Sequence, residues 1–285
     1  MKIGIVGQGY VGTAVRTVFE KHYETYTYDL NGDCTCDTIQ DLVSKSDIIF
    51  VCVPTPMKKD GSCDTSIVES VVRDIDYELG GWVGKEQTII AIKSTIPPGT
   101  TTELNKKYQH SRGIVFNPEF LTEANFIEDF KNQNRIIIGG PRPATTILRQ
   151  VYSLVFPDVT IVKTGSKTAE MVKYFTNTFL ATKVSFANEM YQICGKLGID
   201  YDKVVEYSTY DERLGKSHWA VPGPDGKMGF GGSCFPKDIN ALIHLGLELD
   251  MTPEVLMAAW HTNLDVRPEQ DWKELKGRAV VEENK

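Results

Sequence analysis

A cysteine at the start of a predicted helix is the residue of this sequence best suited to covalent chemistry. Cys234 follows the run Gly-Phe-Gly-Gly at 229–232 and precedes Pro236, which is favoured in the first turn of a helix. The positive end of the helix dipole and the ammonium of Lys237 would both favour the thiolate form of the cysteine. A free cysteine is more often a small buried hydrophobe, which is how we interpret Cys52 and Cys194. The glycines let the backbone approach a ligand closely and therefore indicate a reactive thiol at Cys234.

A second glycine-rich segment lies near the start of the chain, between a predicted strand and a predicted helix. It has the pattern G-x-G-x-x-G and includes Gly7, Gly9, Tyr10, Val11 and Gly12. Glycines in this pattern permit a tight turn and a close approach of the backbone to a pyrophosphate, which then faces the N-terminus of the helix. Asp29 ends the next predicted strand, where a carboxylate accepts hydrogen bonds from an adenosine ribose and repels a 2′-phosphate. The two features predict a dinucleotide-binding fold that takes NAD and not NADP.

Positions 166–197 contain no proline and no glycine before Gly195, and they predict one helix about 45 Å long. The helical period places two different sets of residues on opposite sides of this helix. One side is apolar and carries Met171, Phe175, Phe179, Phe186, Met190, Ile193 and Leu197. The other side carries Glu170, Lys173 and Asn177. We interpret the apolar side as core or as a subunit contact, whereas the polar side needs a different explanation.

Composition restricts the classes of protein to which this chain can belong. Its 285 residues suffice for one large or two ordinary domains, and an apolar fraction of 41% is typical of a soluble globular protein. A formal net charge of −7 argues against nucleic-acid binding. The sequence has no apolar run long enough to span a bilayer and begins directly with a strand-like segment. We therefore expect a cytoplasmic protein with neither a membrane helix nor a signal peptide.

The cysteines predict neither a disulfide scaffold nor a metal site. Six cysteines are too sparse for a disulfide framework and fit reduced thiols in the cytoplasm. Cys34 and Cys36 have the spacing of half a metal site, but no second pair of cysteines or histidines with suitable spacing accompanies them.

Short apolar runs alternate with helical patterns over the first part of the chain, which predicts an α/β fold with a doubly wound parallel sheet of the Rossmann type. The predicted strands occupy positions 2–6, 25–29, 47–53, 88–93, 113–116, 135–138 and 159–162, and the helices 11–22, 65–79, 100–108 and 144–154. From position 166 the pattern is mostly helical, with further helices at 201–210, 236–249 and 252–263. We predict an NAD-binding domain at 1–163, a mostly α-helical central or dimerisation domain at 164–264, and a charged, partly loose C-terminal tail at 265–285.

Seven segments, in order along the chain, resemble the UDP-glucose/GDP-mannose dehydrogenase family. They are positions 7–12, Val-Pro-Thr-Pro at 53–56, Lys-Ser-Thr-Ile-Pro-Pro-Gly-Thr at 93–100, Asn-Pro-Glu-Phe-Leu-Thr-Glu at 117–123, Glu-Met-Val-Lys-Tyr-Phe-Thr-Asn at 170–177, Asp-Glu-Arg-Leu-Gly at 211–215 and positions 229–238. The resemblance implies an NAD-dependent, four-electron oxidation of the C6 alcohol of a nucleotide sugar such as UDP-glucose. Cys234 would capture the intermediate aldehyde as a thiohemiacetal, and a second oxidation would give a thioester that water hydrolyses to the carboxylate.

The same resemblance implies roles for individual residues. Lys173 and Asn177, one helical turn apart, match the pair that stabilises the developing oxyanion. The residues that match water-positioning or proton-shuttling groups are Thr95, Glu119, Glu123 and Asp238, without a distinction of which carboxylate is the base. Besides the glycine turn and Asp29, the cofactor would contact Val53, Pro54, Thr55, Ser94, Thr95, Glu123 and Lys237. The substrate would contact Glu119, Phe120, Leu121, Lys173, Asn177, Arg213, Phe230, Gly231 and Gly232.

Three features differ from the usual pattern of the family. The family normally has a third, Rossmann-like domain that closes over the nucleotide, and we expect a short form without it, since positions 274–281 resemble only its opening segment. His218-Trp219 stands where the family often has His-Tyr, and positions 222–227 lengthen the loop before the cysteine. Either this loop and a neighbouring subunit supply the missing wall, or the substrate is smaller than a nucleotide sugar, or the chain is a weakly active remnant.

Other interpretations agree with parts of the pattern. A one-step 3-hydroxy-acid dehydrogenase also combines a Rossmann domain with a helical domain and a lysine and asparagine one turn apart, but its chemistry has no use for Cys234. A non-catalytic NAD-binding protein would not need that pair together with Cys234 and Asp238. Without the resemblance, Glu119 and Glu123 could also be a solvent-exposed pair of residues one turn apart on a helix. Lys173 could be a surface lysine whose aliphatic side chain packs along its helix. The resemblance and the apolar side of the long helix predict a homodimer.

Overall fold

The computed structural model describes residues 1–32, 34–81 and 87–282, which form two compact units. The first unit consists of Met1–Thr55 and Thr65–Lys173, and the second of Pro56–Asp64 and the chain from Tyr174 onward. The division at Lys173 lies shortly after the predicted domain boundary at 163/164, and no sequence pattern indicates that residues 56–64 belong to the second unit. Among the described residues, no helix is both long enough and apolar enough to cross a membrane.

Seven strands of the first unit form one sheet in the order β2-β1-β3-β4-β5-β6-β7. They are β1 Lys2–Val6, β2 Glu24–Tyr28, β3 Ile48–Val51, β4 Ile89–Ile92, β5 Gly113–Phe116, β6 Arg135–Gly139 and β7 Thr160–Thr164. Each strand lies where the sequence predicts one, within a residue or two at either end. β2 and β3 lie on opposite sides of β1, which creates the switch point at which open α/β sheets bind ligands.

The predicted doubly wound α/β fold is confirmed, and the sheet is parallel except at one pair of strands. β5 and β6 are antiparallel and pair through Phe116 and Gly139, and β7 is parallel to β6. The other neighbouring strands are parallel. A strand buried on both faces has a continuous apolar sequence whichever way it runs, so the sequence pattern contains no sign of this reversal.

The described residues contain ten α-helices. They are α1 Tyr10–Phe19, α2 Ile39–Lys45, α3 Ser66–Gly80, α4 Thr100–Lys107, α5 Phe126–Lys131, α6 Ala144–Val155, α7 Ser166–Leu197, α8 Tyr201–Ser208, α9 Phe235–Glu248 and α10 Glu254–Val266. Helix α7 has the bounds that the sequence predicts. Helices α2 and α5 were not predicted, because seven and six residues are too few to establish a helical period.

Strands β3, β4 and β5 are buried on both faces, as their apolar sequences predict. Successive side chains of a strand point to opposite faces of the sheet. Ile48 and Phe50 therefore pack with residues of α1 and α6, whereas Ile49 and Val51 pack with residues of α2, α3 and α4. This two-sided burial fixes the carboxyl ends of the strands, where the candidate residues of this unit lie.

The apolar side of α7 is largely exposed. Phe175, Phe179 and Phe186 are 69%, 60% and 51% exposed, whereas the small residues Ala181 and Ala187 of the same helix are fully buried in the core of the second unit. The interpretation of this side as core is therefore wrong for the three phenylalanines. A subunit contact through them stays a prediction.

The C-terminal segment of the second unit is packed and not loose, contrary to the expectation of a partly loose tail. Trp272 and Ala279 are each 1% exposed. The backbone N–H of Met57 donates to the carbonyl of Ala279 at 2.8 Å, and the N–H of Val281 donates to the carbonyl of Met57 at 3.0 Å. The segment is charged overall, but its few apolar side chains are buried. Positions 283–285 of the predicted tail lie outside the described residues.

Replacing Trp272 with alanine should lower the free energy of unfolding by about 3–5 kcal/mol, because a large buried ring leaves a cavity. The indole packs against Trp260, with ring centroids 5.2 Å apart. Tyr210→Ala is the control, since that ring is 74% exposed and its loss should change the free energy by less than about 0.5 kcal/mol. Urea unfolding followed by circular dichroism measures both variants. Equally small effects would mean that the C-terminal segment contributes no packing.

Candidate functional site

The glycine turn between β1 and α1 has no room for side chains at two of its glycines. Gly7 has a φ of 91°, and a Cβ at this position would lie 2.6 Å from the carbonyl oxygen of Cys52. A Cβ at Gly12 would overlap the carbonyl oxygen of Gly7. Gly9, which precedes the first residue of α1, has open space where a Cβ would lie. This open backbone at a helix N-terminus fits the pyrophosphate of a dinucleotide.

Asp29 lies directly after β2 and beside the glycine turn. Its carboxylate accepts the backbone N–H of Gln8 at 2.6 Å and that of Asn31 at 2.9 Å. The residue is partly exposed. A carboxylate fixed in this way next to the turn can accept the hydroxyls of an adenosine ribose.

Two of the other predicted cofactor contacts lie together at the ends of neighbouring strands. The hydroxyl of Ser94, after β4, donates to the carbonyl of Val53, after β3, at 2.6 Å. Among the remaining predicted contacts of this unit, Thr55 is buried, and those that are exposed or partly exposed are Tyr10, Val11, Pro54, Thr95 and Glu123.

A buried lysine organises the segment that follows β5. Lys93 is 3% exposed, and its ammonium donates to the backbone and side-chain oxygens of Asn117 at 3.2 and 3.1 Å. It also donates to the hydroxyl of Tyr152 at 3.3 Å and forms an ion pair with the carboxylate of Glu119 at 3.1 Å. Tyr152 donates in turn to the side-chain oxygen of Asn117 at 2.5 Å. Glu119 is only 5% exposed, so this ion pair is held away from water.

Lys93 is a buried cation whose polar neighbours are one carboxylate and several neutral oxygens. Burial alone would lower the pKa of its ammonium, but the oxygens of Tyr152 and Glu119 outweigh burial and raise the pKa above the ordinary lysine value. Burial raises the pKa of Tyr152 to about 12 and that of Cys52 to about 12, so both stay protonated at neutral pH. Glu119 is therefore the carboxylate that balances the charge of Lys93.

Lys173 binds the same segment after β5. Its ammonium donates to the backbone carbonyl of Glu119 and lies 5.3 Å from the centre of the Phe120 ring. Lys173 is 7% exposed, so the interpretation as a surface lysine is wrong. Residues 117–123 are not helical, so the interpretation of Glu119 and Glu123 as a helical pair is wrong as well. The Oε2 oxygen of Glu119 is buried, and the Lys93 ammonium at 3.1 Å is its one polar neighbour among the described residues.

Glu170, on the polar side of α7, caps another helix. Its carboxylate accepts the backbone N–H groups of Gly99 at 2.6 Å and of Thr101 at 2.8 Å, and also the hydroxyl of Thr101 at 2.6 Å. Glu170 is fully buried. It satisfies backbone donors at the N-terminus of α4 that have no partner within that helix. The role of this residue is therefore structural.

In the second unit, Cys234 directly precedes α9 and is partly exposed, and Pro236 occupies the first turn of that helix. Gly232 has a φ of 70°, which favours glycine, and open space where a Cβ would lie. The sulfur lies 3.9 Å from the hydroxyl of Ser233. A helix thus begins directly after a partly exposed thiol, as the sequence predicts.

Three of the predicted residues of the second unit meet in the first turn of α9. Asp238 is 1% exposed, and its carboxylate accepts the amide of Asn177 at 2.6 Å and the ammonium of Lys237 at 2.5 Å. Burial alone would lower the pKa of Lys237, but its neighbours, of which the carboxylate of Asp238 contributes most, outweigh burial and raise it. Lys237 is therefore a cation near the thiol.

The glycine run before Cys234 is held by two buried amides that no sequence motif singles out. The side chain of Asn263 accepts the N–H of Phe230 at 2.7 Å and donates to the carbonyl of Phe230 at 3.0 Å. The side chain of Asn188 accepts the N–H of Gly229 at 3.0 Å. Buried polar side chains are nearly always hydrogen-bonded. Asn263 shares a face of its helix with the core residues Leu256 and Ala259, which is a signal that would find it, whereas Asn188 lies on the polar side of α7 with Glu170 and Asn177.

Two of the predicted substrate contacts have surroundings that the sequence does not indicate. The side chain of Arg213 is 88% exposed and pairs with the carboxylate of Asp211. Phe230 is 4% exposed and packs in the core of the second unit with Ile239. The described residues contain no group of three or more histidine, cysteine or acidic side chains that could hold a metal ion.

Two domains of one known family match this chain. Residues 29–156 match the NAD binding domain of the UDP-glucose/GDP-mannose dehydrogenase family, and residues 167–265 match the central domain of that family. The chain belongs to this family. The first match begins at Asp29, so the geometry of the glycine turn is a separate observation that agrees with an NAD binding domain.

Relatives of this family member cover most of its length. UDP-glucose 6-dehydrogenase TuaD of Bacillus subtilis is 32% identical over 300 residues, which cover 92% of this chain and 62% of TuaD. The structure of a UDP-glucose dehydrogenase from the hyperthermophilic archaeon Pyrobaculum islandicum is similar with a TM-score of 0.84 and 29% identity, over 96% of this chain and 70% of that one. The chain thus spans a little under two thirds of the length of TuaD.

The fold is also similar to that of a dehydrogenase of another kind. The structure of 3-hydroxyisobutyrate dehydrogenase from Mycobacterium tuberculosis has a TM-score of 0.71 to this family member and covers 94% of both chains, with 16% identity. At this identity only the fold is comparable. The fold therefore does not distinguish a one-step from a two-step oxidation, and the site residues must do so.

Lys93→Met should lower the free energy of unfolding by about 3–5 kcal/mol, because it leaves the carboxylate of Glu119 buried without its cation. The double variant Lys93→Met/Glu119→Gln should recover more than about 1 kcal/mol of this loss, since no unpaired charge remains. Urea unfolding of the wild type, both single variants and the double variant gives the coupling energy.

Lys106→Met is the control for loss of a lysine. It breaks a pair with Glu103 whose side chains are 67% and 70% exposed, and should cost less than about 1 kcal/mol. If the losses in free energy of unfolding of Lys93→Met and Glu119→Gln add up to the loss of the double variant, the ion pair does not stabilise the segment after β5.

Proposed function

We propose that this chain is an NAD-dependent nucleotide-sugar 6-dehydrogenase that oxidises the C6 alcohol of a UDP-glucose-type substrate to a carboxylate in two steps. Family membership supports an NAD-dependent dehydrogenase. The names of the relatives, UDP-glucose 6-dehydrogenase and UDP-glucose dehydrogenase, support UDP-glucose as the substrate to test first. The observation that carries the proposal is the grouping of Asn177, Lys237 and Asp238 at the first turn of the helix that follows Cys234.

The first unit carries groups suited to NAD, which accepts a hydride from the substrate when bound. We assign the pyrophosphate to the N-terminus of α1 at Gly9 and the adenosine ribose to the carboxylate of Asp29. The open backbone at Gly9 and the two N–H groups that orient Asp29 support this assignment. The further proposed contacts are Val53, Pro54, Thr55, Ser94, Thr95, Glu123 and Lys237.

The proposed reaction uses the thiol of Cys234 between two oxidations. Loss of a hydride and the hydroxyl proton converts the C6 alcohol to an aldehyde. The sulfur then bonds to the aldehyde carbon, whose oxygen takes a proton, and gives a thiohemiacetal. Loss of a second hydride and of that proton gives a thioester, and water breaks the carbon–sulfur bond to release the carboxylate and the thiol. One alcohol, one water and two NAD⁺ give one carboxylate, two NADH and three protons.

The remaining site residues are proposed to stabilise charge and move protons. Lys173 and Asn177 stabilise the negative charge that develops on the C6 oxygen. Lys237, kept charged by Asp238, favours the thiolate of the neighbouring cysteine. The Oε2 oxygen of Glu119 has the Lys93 ammonium as its one polar neighbour among the described residues, and a carboxylate oxygen can accept a further hydrogen bond, which supports its role as an acceptor for a water molecule or a hydroxyl. Thr95 and Glu123 are assigned to the positioning of water in the same way.

We also propose a homodimer that buries the apolar side of α7. Exposed phenylalanines at 175, 179 and 186 support this, because contiguous exposed apolar surface usually marks an interface. Phe179→Glu should therefore give a monomer in light scattering, since a charge in an apolar interface is desolvated without a partner. Tyr77→Glu, at a ring 77% exposed on α3, is the control and should leave the mass unchanged. A wild-type chain that is monomeric at micromolar concentration would contradict the proposal.

Cys234→Ser should abolish formation of the carboxylate from UDP-glucose, because a hydroxyl at this position is a much weaker nucleophile than a thiolate. Its affinity for NAD, measured by calorimetry, should stay within about twofold of the wild type, because the proposed NAD contacts do not include the thiol. Cys63→Ser is the matched control, since it removes another partly exposed thiol of the same unit and should keep the activity. The stoichiometry of NADH per UDP-glucose is measured by absorbance at substrate exhaustion.

The outcome separates the competing functions. Two NADH per UDP-glucose in the wild type supports the two-step oxidation. One NADH per substrate, retained in Cys234→Ser, would support a one-step dehydrogenase. NAD binding without turnover of any nucleotide sugar or hydroxy acid would favour a binding protein.

A further inference from the structure

A buried arginine connects the long loop at 222–227 with the chain that follows it. The side chain of Arg267 is 2% exposed. Its guanidinium binds the carboxylate of Asp225 at 2.6 Å and the carboxylate of Asp271 at 2.6 Å. It also donates to the backbone carbonyl of Met228 at 3.2 Å. One side chain thus fixes the loop, the residue after it and the C-terminal segment of the second unit.

Asp271 extends this network to the glycine turn before the thiol. Its second carboxylate oxygen accepts the N–H of Gly232 at 3.2 Å. A side chain at Gly231 would overlap the guanidinium of Arg267, so the backbone lies directly against the arginine–aspartate pair. Gly232 has a positive φ and lies two residues before Cys234. The turn two residues before the thiol is therefore bound by Asp271, which in turn pairs with Arg267.

The three charges of this network stabilise one another. Burial acts to lower the pKa of Arg267, but its hydrogen bonds to Asp271 and Asp225 outweigh burial and raise it. Burial acts to raise the pKa of both carboxyls, but hydrogen bonds from Arg267 outweigh burial and lower it. Charge-assisted hydrogen bonds of this kind are stronger and more directional than neutral ones. The network can therefore hold a backbone turn in one conformation.

We propose that Arg267 is a positioning residue for Cys234 and that, with Asp225 and Asp271, it forms a clamp that holds the turn at Gly232 and hence the sulfur. The long loop at 222–227 supplies Asp225 and so completes the clamp. The inference rests on the proposed catalytic role of the thiol, but the clamp itself is observable without any activity.

Asp225→Ala in the full chain tests the clamp through the carboxylate that is most exposed, at 49%, and so least needed for folding. Amide hydrogen exchange without substrate should be about tenfold faster in the peptide 229–234 and unchanged in the strands of the first unit. With UDP-glucose and NAD, kcat should fall about tenfold while KM stays within about twofold, because a mobile sulfur affects bond formation more than binding. Asp271→Asn, which removes the charge at the turn, should give at least the same local effect.

Lys227→Ala is the matched control. It lies in the same loop, and its pair with Glu269 at 3.4 Å joins side chains that are 45% and 43% exposed. Both measurements should match the wild type. Exchange at 229–234 in Asp225→Ala that is no faster than in Lys227→Ala would refute the clamp, and so would faster exchange throughout the protein.

The two measurements also separate this inference from the proposed function. Faster local exchange with an unchanged kcat would overturn the positioning role, because the turn would then move without consequence for the sulfur. Faster local exchange in a chain whose wild type oxidises no nucleotide sugar would uphold the clamp on the turn and refute the proposed function. Unchanged local exchange in Asp225→Ala, with a wild type that oxidises a nucleotide sugar, would refute the clamp and uphold the proposed function.

Discussion

A charge removed from water has to be paired, and both units of this chain place such a charge beside residues of the candidate site. In the first unit the ammonium of Lys93 pairs with the carboxylate of Glu119. In the second unit the guanidinium of Arg267 pairs with the carboxylate of Asp271. Each cation also binds backbone oxygens, of Asn117 and Met228 respectively. The ion pairs therefore fix the course of the main chain, and the side chains that point from it are fixed as a consequence.

Three side chains on the polar side of α7 form hydrogen bonds with three different segments of the chain. Glu170 binds the first backbone donors of α4, Lys173 binds the carbonyl of Glu119, and Asn177 binds the carboxylate of Asp238. A helical period is sufficient to predict that these three side chains share one side of a helix. It does not distinguish the residue that caps a helix from the two that are candidates for chemistry, because that difference lies entirely in their partners.

The parts of the molecule that follow from local sequence were predictable. Buried strands are apolar runs, the long helix is a proline-free stretch, and the glycine turn, Asp29 and Cys234 lie where neighbouring residues favour them. The partners of the buried charges were not predictable, because Lys93 and Tyr152 or Asp225 and Arg267 meet only after distant segments have packed. The reversed strand β6 and the packed C-terminal segment depend on tertiary contacts in the same way.

Residues 56–64 leave the first unit after β3 and pair, through Met57, with backbone groups of Ala279 and Val281 near the other end of the described chain. Neither unit is therefore a continuous stretch of polypeptide. The backbone of Met57 finds its partners only after residues 279–281, more than 200 positions further along the sequence, have been synthesised. The second unit is thus complete only once Val281 is present, and no single proteolytic cut can release both units intact.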